Sequence, residues 1–120
     1  TIRREQFCQI KSEIRGSDQH LVVGIDVAKD KHHAFMGSAT GKSLLRKLVF
    51  ENNLEGFRKL QQRSEAISIQ NALSKVVFGM EPTGNYHKPL GAYLIECGHH
   101  VVLVTGKAVK NNRELLDGRA

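Results

Sequence analysis

Apolar residues recur at two different periods along the chain, and the switches between them divide it into elements. Over residues 1–20, Ile2, Phe7, Ile10 and Ile14 follow one another at spacings of three to five in a polar background, which predicts a helical lead-in closed by Gly16-Ser17-Asp18. From Leu21 the pattern turns to strand: Leu21-Val22-Val23-Gly24-Ile25-Asp26-Val27, then a short half-polar run from Lys31 to Gly37, then Leu44 to Phe50 with Leu44, Leu48 and Phe50 on one face. Turns at Lys29-Asp30 and near Thr40-Gly41 join them, so the three form an antiparallel meander. Asn52-Asn53 supplies an N-cap, and Leu54, Phe57, Leu60, Ser64 and Ile67, spaced by three and four, predict an amphipathic helix ending near Leu73. Lys75 to Met80 is apolar enough for a central strand buried on both faces. After a turn at Glu81 to Gly84, Asn85 is expected to cap a helix striped by Tyr86, Leu90, Tyr93, Leu94 and Cys97, with Pro89 in its first turn and Gly98 as its stop. His99 to Val104 reads as a fifth strand, and Lys107 to Leu116 as a further helix.

This order, three meander strands followed by alternating helices and strands, joins an antiparallel half to a parallel half through right-handed crossovers. It is the order of the ribonuclease H-like fold, an α/β architecture with a mixed five-stranded sheet flanked by helices, whose first and fourth strands are parallel neighbours at the centre. Those two strands end at Asp26 and Glu81. Either acid alone is no more than a polar strand end or a salt-bridge partner. Side by side at the carboxyl edge of a sheet, where open α/β folds place their ligands, they repel and call for a cation. Hard oxygen donors favour a divalent metal, magnesium or manganese.

Composition narrows the substrate. A chain of 120 residues, 40% apolar and 25% charged, is an ordinary globular domain, which leaves its charge balance as the unusual property. The formal charge of +6 and a pI near 9.6 suit a polyanionic partner. Arg3, Arg4, Lys11 and Arg15 precede the first strand, Lys42, Arg46 and Lys47 follow a turn, and Lys107, Lys110, Arg113 and Arg119 crowd the end of the sequence. Magnesium takes phosphate oxygens as ligands, so a carboxylate site on a basic domain points to phosphodiester chemistry. No apolar stretch approaches the roughly 20 residues of a membrane helix, and Thr1 to Gln6 lacks the apolar segment of a signal peptide, so a cytoplasmic location with no membrane partner is expected. Cys8 and Cys97 have no CxxC spacing and read as buried or incidental thiols.

The runs Gly24-Ile25-Asp26-Val27-Ala28-Lys29 and Glu81-Pro82-Thr83-Gly84-Asn85-Tyr86, followed by a strand leading into a basic segment, resemble the N-terminal, RuvC-like domain of DEDD-type insertion-sequence transposases. The resemblance covers nearly everything from Leu21 to Ala120, and the Glu-Pro-Thr-Gly-Asn-Tyr run is its most specific part. It implies a magnesium-dependent DNA recombinase of bacteria or archaea, with Asp26 matching the first acid of the family and Glu81 the second. It also implies DNA as partner, a structured guide RNA in some members, a homo-oligomer, and a C-terminal domain carrying a nucleophilic serine. The family's remaining two acids are closely spaced aspartates beyond the basic segment, and Asp117, in Glu114-Leu115-Leu116-Asp117-Gly118, resembles the helix end before them. Residues 21–120 are accordingly expected to be a RuvC-like domain that stops short of its last acidic motif and does not cut DNA alone.

Other motifs point elsewhere and are weaker. Gly37 to Ser43 imitates a P-loop but has three residues between its glycines where the motif needs four, and it joins two strands rather than a strand and a helix. The pairs His32-His33 and His99-His100 alternate across a strand and cannot chelate together, so surface or half-buried histidines are expected. Lys29 and Lys31, across the first hairpin from Asp26, read equally as phosphate contacts and as solvated turn residues. His87 reads as a helix first-turn residue ahead of a phosphate contact, and Thr83, Asn85 and Tyr86 read as shaping the turn that aims Glu81 rather than binding substrate. The same strand order is shared by actin and sugar-kinase-like ATPases, whose glycine-rich first hairpin is replaced here by Ala28-Lys29-Asp30, and a non-catalytic nucleic-acid-binding module on the same scaffold is a third reading.

Overall fold

The computed structural model describes residues 4–15, 17–104 and 109–110. Its elements are α1 (Arg4–Glu13), β1 (His20–Asp26), β2 (Lys31–Ser38), β3 (Ser43–Glu51), α2 (Leu54–Gln70), β4 (Lys75–Met80), α3 (Lys88–Glu96), β5 (His100–Val104) and β6 (Val109–Lys110). The strands form one sheet in the order β3-β2-β1-β4-β5-β6. The first three are the predicted meander, paired antiparallel, and β4 and β5 run parallel to β1. This is the ribonuclease H-like arrangement, with β1 and β4 adjacent at its centre.

The sheet divides the core by strand alternation. Leu21, Val23 and Ile25 of β1, with Phe78 and Met80 of β4, point to the face covered by α2 and α3, where they meet Phe57, Leu60, Ile67, Leu90 and Leu94. Val22, Val77 and Val102 point to the other face and pack under Ile10 and Ile14 at the α1 end of the chain. The predicted stripes are buried at Ile10 and Ile14 and at Phe57, Leu60, Ser64 and Ile67, whereas Leu54 at the start of α2 is exposed and Ile2 lies outside the described residues. Asn53 caps α2 as expected, its Oδ1 accepting from the Gly56 N–H at 2.9 Å. Gly98 follows α3 with φ +87, the left-handed conformation that ends a helix.

Several expectations need correction. Asn85 does not cap α3: the helix starts at Lys88, its N-cap is His87, and that residue makes no side-chain cap bond. The preceding residues are instead tied by backbone bonds, Tyr86 N–H to Thr83 O at 3.1 Å and Lys88 N–H to Asn85 O at 3.2 Å. Pro89 sits in the first turn, where its missing N–H has no intrahelical role to lose. Beyond β5, Val109–Lys110 is a strand rather than helix, pairing antiparallel with Leu103 and Val104 and so satisfying backbone groups at the edge of β5. The remainder of the predicted 107–116 helix, and Asp117, lie outside the described residues. Cys8 and Cys97 are free and exposed, the incidental rather than the buried of the two expected readings. The segment resembling a P-loop is the β2–β3 hairpin, closed by Ser38 N–H to Lys42 O at 2.9 Å and by the Lys42 N–H donating to Ser38 Oγ at 3.1 Å.

Candidate functional site

The two sequence-predicted acids come from neighbouring strands in parallel register. His20 to Ile25 of β1 lie opposite Lys75 to Met80 of β4, so the next residue along each chain after the final partners Ile25 and Met80 is an acid, Asp26 and Glu81. The register also fixes the face. Val22 and Val77 lie under α1, Gly24 lies opposite Gly79, and alternation carries the same face on to Asp26 at the end of β1 and to Glu81 one residue beyond β4. Both acids are exposed, and the strands that carry them are buried along almost their whole length. Hard oxygen donors at two adjacent, rigidly held strand ends suit a divalent cation. Among the described residues no group of three or more histidine, cysteine, aspartate or glutamate side chains is gathered as a metal site.

Glycines at the paired positions Gly24 and Gly79 let other groups close on the sheet. A Cβ at Gly79 would strike the Ile10 side chain, and one at Gly24 would strike the Phe35 ring, 2.6 Å from Cζ. The absence of these methyl groups seats α1 on β4 and lays Phe35 against β1 within the same layer as the acids.

Two residues whose bonds were not legible in the sequence restrain the loops following the acids, His32 the loop after Asp26 and Asn52 both. His32 is fully buried, contrary to the expectation of a surface or half-buried histidine, and its Nδ1 accepts the Ala28 N–H at 3.1 Å, two residues after Asp26. That bond leaves the ring proton of the neutral imidazole on Nε2. Burial lowers the His32 pKa below 6.5, with the Asn52 side chain and the Asp26 charge opposing the shift. The ring also packs edge-on against Phe50, with centroids 5.3 Å apart. Asn52 does not share the helix-capping role of Asn53. Its N–H donates to Asp30 O at 2.8 Å, and its Nδ2 donates to Lys29 O at 3.0 Å and, at 3.5 Å, to Tyr86 O. One asparagine thus links the turn after Asp26 to the turn after Glu81. The sequence signal was present in the alternation: His32 shares its parity with the buried Ala34 and Met36, whereas His33, on the opposite face, is half-buried and directly opposite Asp26.

Of the remaining candidates, His87 is buried, and its pKa is lowered by that burial and by Lys88. It stands at the start of α3, as expected, in the N-cap position. Lys29 and Lys31 are exposed at the β1–β2 turn. Thr83 and Asn85 shape the turn after Glu81 through their backbone carbonyls.

Comparison with curated proteins gives no match. Comparison with protein families gives one over residues 23–120, a span that includes both acids and every strand of the sheet apart from the first residues of β1, and the matched family is described as a transposase. On that match, together with the strand order and the register of Asp26 and Glu81, the chain belongs to the IS110-type DEDD transposase family.

Proposed function

We propose that this domain takes part in DNA strand cleavage and transfer during transposition, and that Asp26 and Glu81 hold a divalent metal ion, magnesium or manganese, at the scissile phosphate. The observation that carries the reading is the parallel β1–β4 register, which brings the ends of two buried strands together with an acid at each. A metal held there would polarise a phosphodiester and lower the pKa of an attacking water or hydroxyl. The protein's part is to hold the two carboxylates at fixed positions, with His32 and Asn52 restraining the turns behind them. The charge of +6 favours approach of the DNA backbone. Two carboxylates supply only part of the oxygen shell that a pair of metal ions requires, so residues 1–120 are expected to bind metal weakly and not to cut DNA alone.

Calorimetric titration with manganese tests the assignment. The parent chain should bind weakly, and both Asp26→Asn and Glu81→Gln should lose that binding while keeping the parent circular dichroism spectrum. Unchanged manganese affinity in either folded variant removes that residue from the site.

A further inference from the structure

We propose that the sheet face beside Asp26 is a track for one DNA strand, with Arg46 and Lys47 of β3 holding backbone phosphates and Phe35 of β2 offering a surface to a base. The inference rests on the DNA-cleaving role proposed above and specifies where the substrate lies. An open depression of about 290 Å³ runs along this face, lined by Gly24, Asp26, His33, Ala34, Phe35, Arg46 and Lys47. Asp26 is the sole carboxylate among those seven residues, at one end of a lining otherwise made of two cations, a histidine, a phenylalanine and small groups.

The geometry of β3 makes this lining unusual. Consecutive side chains on a regular strand point to opposite faces, so Arg46 and Lys47 should not share a pocket. They share this one because β3 is bulged. Leu48 pairs with Ala34, but Leu45 pairs with Met36 and Ser43 with Gly37, so β3 carries an extra residue at each of two successive steps. A β-bulge of this kind re-aims side chains and is common beside functional sites. The effect is to place two neighbouring positive charges on the face that bears Asp26. Both side chains are exposed and available to a ligand.

Phe35 completes the track. It lies opposite Gly24, and the missing Cβ there lets its ring settle against β1. The ring is half-buried, packed against Phe7 of α1 with centroids 5.6 Å apart and planes tilted by 42°, and it also lines the depression. Two cations for phosphates beside an aromatic for a base is the combination by which proteins follow a single strand without reading its sequence. His33, directly opposite Asp26, stands between the cations and the acid. A strand held in this way would lead toward Asp26 from the meander side of the sheet.

Fluorescence anisotropy with a labelled 12-nucleotide DNA strand, in chelator and without metal, tests the track independently of the metal site. Arg46→Ser/Lys47→Ser should weaken binding about tenfold at roughly 0.1 M salt and flatten the dependence of log K on log salt by about 0.7 for each phosphate the variant no longer holds. Arg58→Ser/Arg63→Ser removes the same charge from exposed positions on α2, across the sheet, and should change affinity less than twofold. Phe35→Leu should weaken binding roughly fivefold with an unchanged salt slope, as expected when stacking is removed. If the parent chain binds no DNA, the proposed function fails and the track with it. If the parent binds and the two double variants lose affinity equally, the function stands and the track is overturned. A loss in Arg46→Ser/Lys47→Ser seen only with an RNA strand of the same sequence also overturns it.

Discussion

The two faces of the sheet are built from the same strands and serve different ends. Under α2 and α3, alternate residues of β1, β2, β4 and β5 meet two helices and are sealed along the length of the strands. On the opposite face α1 covers Val22, Val77, Val102 and Val104, while the β1–β3 side remains open from Gly24 to Asp26. A strand of period two can therefore place its stabilising side chains on one face and its polar, exposed ones on the other, one residue apart. Ile25 is fully buried and Asp26 exposed for this reason. The closed face should set the stability of the domain, and the open face its ligands.

The strongest test of that division is a cavity in the closed face. Leu60 of α2 is fully buried in the larger core. Leu60→Ala should destabilise the domain by about 3 kcal/mol in urea denaturation, from the forfeited transfer free energy and the residual cavity. DNA affinity of the molecules that remain folded should be unchanged. A parallel loss of DNA affinity at concentrations of denaturant where the variant is fully folded would mean that the two faces are coupled, and the comparison would break.

This closed face is also the part most legible in the sequence. Stripes at spacings of three to five located α1 and, at three and four, α2, and the run of Val76, Val77, Phe78 and Met80 marked a central strand, because burial against an apolar layer leaves a pattern that survives in the residue order. The acids were legible for a related reason. Each ends an apolar run, and the element order made those runs neighbours. What stayed hidden depended on hydrogen bonds and register rather than on hydrophobicity. Leu44, Leu48 and Phe50 read as one regular face of β3, but the bulge substitutes Leu45 opposite Met36, and nothing in Leu44-Leu45-Arg46-Lys47-Leu48 announces the extra residues. Asn85 followed a glycine and preceded an apolar stripe, as an N-cap would, yet backbone turn bonds from Thr83 to Lys88 postpone the helix. Asn52 acts through Lys29 and Tyr86, both distant in the sequence, and His32 through a single backbone N–H across the hairpin, and composition carries no mark of either.

His32 marks the point where the closed face supports the open one. It is buried beside Phe50 on the α2 side, and it holds the Ala28 N–H of the loop after Asp26. Removing it in His32→Ala leaves the Ala28 N–H without its acceptor and empties a fully buried position beside Phe50, and should reduce stability by about 2–3 kcal/mol. Manganese affinity should fall as well, because the loop behind Asp26 is released. The pH dependence separates this histidine from a simple packing residue. Burial lowers its folded-state pKa below 6.5, so on acidification the unfolded chain takes up a proton first. Its contribution is fully present above pH 6.5 and is lost as pH falls from there through the lowered folded pKa. Burial also lowers His20, His87 and His99, which add to the loss with the same sign. Stability should therefore fall as the pH is lowered through 6.5 in the parent and fall less steeply in His32→Ala. Equal slopes would show that His32 titrates alike in the folded and unfolded chain and that its burial does not set the pH dependence.

The smallest expected effect sharpens the comparison within the open face itself. Gly24 and Gly79 are register partners on that face, but a methyl group at each would meet a different neighbour. At Gly79 it meets Ile10, a fully buried residue of α1 that can yield only if the helix moves. At Gly24 it meets the Phe35 ring, which is half-buried and can swing outward into the depression. Gly79→Ala should then destabilise by about 2 kcal/mol and Gly24→Ala by about 1 kcal/mol, both within the range for overpacking a close contact. Their effects on DNA should run in the opposite order: Gly24→Ala displaces the ring assigned to a base and should weaken single-strand binding, whereas Gly79→Ala should leave it unchanged. Thermal denaturation and the same anisotropy titration measure both quantities on one preparation. Reversal of either order would mean that α1, rather than the β1–β3 depression, shapes the surface beside Asp26.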